Sequence, residues 1–230
     1  MAVNIYVGPL VRFYSGDWKP VFMRGINVQS DEAKHRPPFA NEKVSPIEIR
    51  NYIIEWRKQI SYALKKPLTW AETPDTPYHT NSIDRGGYDA LRLWAAYTEQ
   101  TNLPKPADLP DDVDNDPILI SSEAKNKSEF SQIIGGVVIW LPLGFGVVFE
   151  ADFLHYDEPV SIGSSGALFD QLKKLNEKTW KASPGEIASW RESEKADNNL
   201  LEPSAKFGFS VFYNLAQLSV MHHLPMALYY

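Results

Sequence analysis

Between Asp112 and Glu123 the chain reads Asp-Val-Asp-Asn-Asp-Pro-Ile-Leu-Ile-Ser-Ser-Glu. Asp112, Asp114, Asp116 and Glu123 fall at positions 1, 3, 5 and 12 of an EF-hand loop, where calcium takes its oxygen ligands. The pattern also departs from that loop. Pro117 stands where glycine makes the sharp turn, Ile120 replaces a polar ligand, and Leu103-Pro104-Lys105-Pro106 cannot form the entering helix. The competing reading is a solvated acidic loop. A second pattern is Gly163-Ser164-Ser165-Gly166-Ala167, close to a nucleophile elbow with Ser165 as nucleophile. Its base would come from His155, His222 or His223, and chain order favours the last two. The competing reading makes Ser164 the cap of a following helix.

Three weaker patterns remain. Glu150 and Asp152 alternate on a strand and share a face, which suits acid–base work on glycosides or simply a wet strand face. His222 and His223 are adjacent, so on a helix they point about 100° apart and do not chelate one ion. Asp84-Arg85-Gly86-Gly87 precedes a helix, where free N–H groups and Arg85 could hold a phosphate; the alternative is a plain helix-initiating turn. No catalytic constellation outweighs its competing reading, so the residues favour a binding protein without a cofactor, with a hydrolase using Ser165 and a calcium-binding acidic loop as the alternatives. Its contacts would come from Asp111, Asp112, Asp114 and Asp116, with Trp18, Trp70 and Tyr78 as aromatic anchors in turns or loops.

The elements that must position these groups are legible in part. Val3, Ile5 and Val7 alternate as in a strand, Val11 and Phe13 continue the pattern, Ser15-Gly16-Asp17 reads as a hairpin turn, and Val21 and Met23 resume it. Ser45-Pro46-Ile47-Glu48 is a capping box, followed by Ile49, Ile53, Trp56 and Ile60 at helical spacing. A second helix runs from Gly87 with Tyr88, Leu91 and Trp94 on one face. Residues 67–86 read as loop and 103–117 as a Pro/Asp-rich connector. Ile118-Leu119-Ile120 reads as a short strand. The uncharged run Phe130–Phe149 is long enough to cross a membrane. Its glycines, Pro142 and β-branched residues instead predict two buried strands, 137–141 and 145–153, joined by a turn at Pro142–Gly144. Pro159–Ile162 predicts a further strand. Helices follow with Leu168, Leu172 and Leu175 in register, at the capping box Ser183–Glu186, and from about Ser204 to Pro225. Strands and helices do not alternate regularly. The expectation is therefore α+β: an antiparallel or mixed sheet packed with about four to five helices.

The 230 residues predict one domain, 1–230, with halves 1–102 and 118–230 flanking the 103–117 connector. There is no cysteine, which excludes disulfides, zinc–thiolate sites and thiol nucleophiles. The N-terminus lacks the basic and apolar regions of a signal peptide, and a cytoplasmic protein without a membrane span is expected. The formal charge of −6 argues against a nucleic-acid partner. That charge is local. Residues 107–124 hold six acids and no base, residues 1–106 hold fourteen bases against eleven acids, and residues 125–230 hold nine against twelve. The acidic segment therefore has two possible targets, an external basic protein or the basic N-terminal half.

The chain resembles the heterogeneous immunity proteins of bacterial toxin systems. The likeness rests on the small acidic build, on Val7-Gly8-Pro9-Leu10, and on Pro159-Val160-Ser161-Ile162-Gly163-Ser164-Ser165 leading into the Leu168/Leu172/Leu175 helix. The resemblance implies no catalysis, only neutralisation of a basic, toxin-like partner, and assigns no role to any residue.

Overall fold

A computed structural model describes residues 2–19, 45–73, 75–100, 102–124, 128–153, 156, 158–192 and 199–229. His35, His155 and the expected strand residues Val21 and Met23 lie outside them. Among the described residues six strands form one mixed sheet: β1 (Ala2–Val7), β2 (His79–Asp84), β3 (Ile139–Leu141), β4 (Phe149–Ala151), β5 (Val160–Ser164) and β6 (Met226–Tyr229). Their order is β2-β1-β6-β3-β5-β4. Only β3 and β5 run parallel; the other neighbours are antiparallel. Eight helices are present among the described residues: α1 (Leu10–Tyr14), α2 (Pro46–Leu64), α3 (Arg85–Thr98), α4 (Pro117–Glu123), α5 (Ser131–Ile134), α6 (Ser165–Lys178), α7 (Pro184–Glu192) and α8 (Leu201–His222). This is an α+β fold, with strands of both halves in the same sheet.

Period-two alternation gives the sheet two apolar faces. Val3, Ile5, Val7, Trp140, Met226 and Leu228 enter one core with α3, α6 and α8. Tyr6, Ile139, Leu141, Ile162 and Ala227 enter a second core with α1 and α2. The sheet is thus sandwiched between helical layers. Helix α2 forms where the sequence predicts it: Ser45 Oγ accepts the Glu48 N–H at 3.3 Å, and Glu48 accepts the Ser45 N–H at 2.8 Å. Ile49, Ile53, Trp56 and Ile60 are its buried stripe. Helices α3 and α8 meet at glycines, where Gly208 has no room for a Cβ against the Gly87 carbonyl.

Several expectations are corrected. Val11 and Phe13 lie in α1, not in a strand. The first two N–H groups of α1 donate to the Glu72 carboxylate at 3.1 and 2.9 Å, a cap supplied from 62 and 61 residues away. Ser15-Gly16-Asp17 closes that helix instead of turning a hairpin. Ile118–Ile120 lies in α4, because Asp116 Oδ1 accepts the N–H groups of Ile118 and Leu119 at 2.8 and 3.2 Å and Pro117 fills the first helical position. The loop expected over 67–86 contains β2. The strands expected at 137–141 and 145–153 exist in shortened form but are not a hairpin. β5 separates them, pairing Ile162 with Ile139 on one side and with Phe149 on the other. The buried Gln132 side chain holds this arrangement: its Nε2 donates to Val147 O at 3.2 Å and its Oε1 accepts the Ser164 N–H at 2.8 Å. No described helix is long and apolar enough to cross a membrane.

Candidate functional site

Residues 103–124 form a belt across α3. A bridge between Asp108 and Leu200 anchors its start to the head of α8, with Leu109 N donating to Asn199 O at 2.7 Å. A 3-10 turn at Val113–Asn115 buries Val113, and α4 follows. Helix α3 presents Arg85, Asp89 and Arg92 at i, i+4 and i+7, which one helical face accommodates. Arg92 is nearly buried. It donates to Asp114 at 2.8 Å, to Glu123 at 2.6 Å and to the Ile134 carbonyl at 3.4 Å. Arg85 donates to the other Asp114 oxygen at 3.0 Å and to Asp89 at 3.2 Å.

The electrostatics follow from this geometry. Burial opposes the Arg92 charge, yet Tyr88, Asp114 and Glu123 outweigh it and hold the guanidinium's pKa above its ordinary value. The Arg92 hydrogen bond draws the Asp114 carboxyl below the usual carboxylate range. Burial pushes Asp89 the other way, above that range, despite both arginines.

The calcium pattern is dissolved by these partners. Asp114 and Glu123 are taken by Arg92. Asp116 caps α4 and accepts the Tyr97 hydroxyl at 3.3 Å, while Asp112 accepts Asn115 Nδ2 at 2.6 Å. Among the described residues no three His, Asp or Glu side chains are grouped to hold a metal ion. The basic half therefore grips part of the acidic segment. The grip is incomplete: Asp108, Asp111 and Asp112 are exposed and have no ion pair among the described residues. The same segment exposes Leu103 and Ile120.

The serine alternative also comes apart. Ser165 is fully buried, and its hydroxyl donates to the Leu141 carbonyl at 3.3 Å. Ser164 caps α6 by accepting the Ala167 N–H at 3.0 Å. His222 stacks on His79 with ring centroids 5.2 Å apart. His223 closes α8 in the left-handed region at φ 54° and sits 3.4 Å from Thr69 Oγ1. No described histidine reaches Ser165, so nucleophile and base are not brought together. Glu150 and Asp152 are both exposed at an edge strand, as a wet face requires. At the turn Gly86-Gly87, Asp84 Oδ1 accepts the Gly87 N–H at 2.7 Å, so a carboxylate of the chain itself takes one of the N–H groups that an anion would use.

The aromatic anchors are redistributed. Trp18 is buried and donates to Phe13 O at 3.0 Å. Trp70 is buried, donates to Glu72, and carries the Arg57 guanidinium 4.3 Å above its ring. Both are core residues, because the turns that hold them fold over the second core. Tyr78 is half-buried and stacks on Tyr6 at 5.8 Å. The exposed large side chains lie elsewhere, notably Tyr62 and Ile47 on α2, 89% and 70% exposed. Sequence reasoning overlooked them and Arg92. Their signals were present: Tyr62 falls opposite the Ile49/Ile53/Trp56/Ile60 stripe, and Arg85-Asp89-Arg92 shows helical spacing. Compared with protein-family models, with curated proteins and with solved structures, the chain matches none.

Proposed function

We propose that this chain is a non-catalytic protein-binding protein that docks a basic partner on the acidic belt over α3. The observation that carries this reading is the division of labour within the belt. Arg85 and Arg92 hold Asp114 and Glu123 to α3, which fixes the backbone. Asp108, Asp111 and Asp112 then remain exposed and without an ion pair among the described residues. A surface ordered before binding loses less entropy on association than a free loop. Unpaired carboxylates on it steer a basic surface and repel a polyphosphate. Cytoplasmic neutralisation of a basic toxin, as the resemblance to immunity proteins implies, is the setting that fits this chemistry.

The test is affinity purification from the native cell, followed by association kinetics with the recovered polypeptide. Changing Asp108, Asp111 and Asp112 together to Asn is expected to slow association about tenfold at low salt and to flatten its salt dependence. A recovered partner whose association rate is unchanged by the triple substitution overturns the reading.

A further inference from the structure

The molecule carries a second charged surface, of opposite sign. Residues 45–70 hold five bases (Arg50, Arg57, Lys58, Lys65, Lys66) and two acids (Glu48, Glu55). All seven lie on or just after α2, and Lys58 is paired with Glu55. Three open clefts of about 340, 480 and 620 Å³ run along this helix from its start to the turn after it. Ile47 and Arg50 line the first beside Arg12, Asp17 and Glu72, so its charges balance, whereas Tyr62, Lys65 and Lys66 line the last with no acid among its lining residues. Arg50 and Lys65 have no ion pair among the described residues, and Tyr62 and Ile47 are the most exposed large side chains named above. Aromatic residues and arginine are the side chains that most often dominate binding energy.

The acidic belt is the chemical complement of this surface. It offers Asp108, Asp111 and Asp112 with the exposed side chains of Leu103 and Ile120. The two surfaces lie on opposite sides of the sheet, since α2 belongs to one core and α3, Val113 and Leu119 to the other. One chain therefore cannot bring them together. We propose that the α2 face docks the acidic belt of a second copy, giving a head-to-tail, salt-sensitive self-association. Such a contact uses a different patch on each subunit and leaves one free patch at each end. It also covers the carboxylates assigned above to a basic partner, so self-association and partner binding compete. The self-contact stands whether or not that partner exists.

The test is sedimentation velocity of the full chain and of two surface variants. At roughly 200 μM protein and 20 mM NaCl the sedimentation coefficient should rise with concentration, and at roughly 300 mM NaCl the association constant should fall at least tenfold. The Arg50→Glu/Tyr62→Ser variant and the Asp108→Asn/Asp111→Asn/Asp112→Asn variant should each stay monomeric. Mixed one to one they should form a dimer and nothing larger, because each supplies one intact surface. Unchanged circular dichroism of each variant verifies its fold. A wild-type chain monomeric at low salt overturns the proposal, as does a mixture that stays monomeric. Self-association that survives the aspartate substitutions but not the α2 substitutions places a different occupant on α2 and equally overturns it. The α2 variant should keep full association with any basic partner, which separates failure here from failure of the proposed function.

Discussion

Arg92 is the residue on which the acidic belt depends. Its guanidinium is nearly buried and faces Asp89, Asp114 and Glu123, so its removal strands carboxylates that water reaches only in part. Arg92→Met is expected to cost about 3 kcal/mol, read as a lower urea midpoint. Asp114→Asn should cost less, since half of that side chain is exposed and solvent screens it. The pH dependence has a definite sign. The folded-state pKa of Asp114 lies below its unfolded value, so its contribution is full above the ordinary carboxylate range. It vanishes as pH falls through the depressed value. The midpoint gap between wild type and Asp114→Asn should therefore close in acid. Half-buried Asp89 and Glu72, raised by desolvation, act in the opposite direction and lose stability as pH rises through their elevated values. The same occupancy of Asp114 and Glu123 predicts that millimolar calcium leaves the melting temperature unchanged. A rise above about 2 °C would restore the calcium reading.

At the scale of elements, the contact between α3 and α8 is set by two glycines. A Cβ on Gly208 collides with the Gly87 carbonyl, a backbone atom that cannot swing aside. Gly208→Ala is expected to lose about 2 to 3 kcal/mol despite alanine's better helix propensity. Gly185 in α7 has open space around its Cβ position, and Gly185→Ala should be neutral or mildly stabilising by the same denaturation measurement. Local signals decided which elements could be read from sequence. Helices α2 and α7 announce themselves by capping boxes within four residues. Helix α4 carried an Asp116-Pro117 cap that the apolar triplet Ile118-Leu119-Ile120 obscured. Helix α1 was not legible, because the carboxylate that caps it belongs to Glu72.

At the scale of the molecule, charge and topology are coupled. The acidic belt and the basic α2 face lie on opposite helical layers, with the sheet between them. The excess charge of the belt is only partly neutralised internally, which leaves the molecule polarised. That polarity is the common basis of the proposed partner contact and the proposed self-contact.

The sequence by itself determined the α+β class, the strand character of β1 and β5, and the five longer helices. Each of these depends on periodicity or a cap within one turn, which is local information. It also located the acidic segment and posed the choice between an internal and an external target. Only the tertiary structure could divide that segment, since the division depends on which carboxylates Arg85 and Arg92 can reach from α3. It likewise decided that β5 separates β3 from β4, that Trp18 and Trp70 belong to the core, and that Ser165 is sealed under β3. Pairing between strands, burial of a turn and the partner of a charge are all set by residues distant in the chain, and no local pattern encodes them.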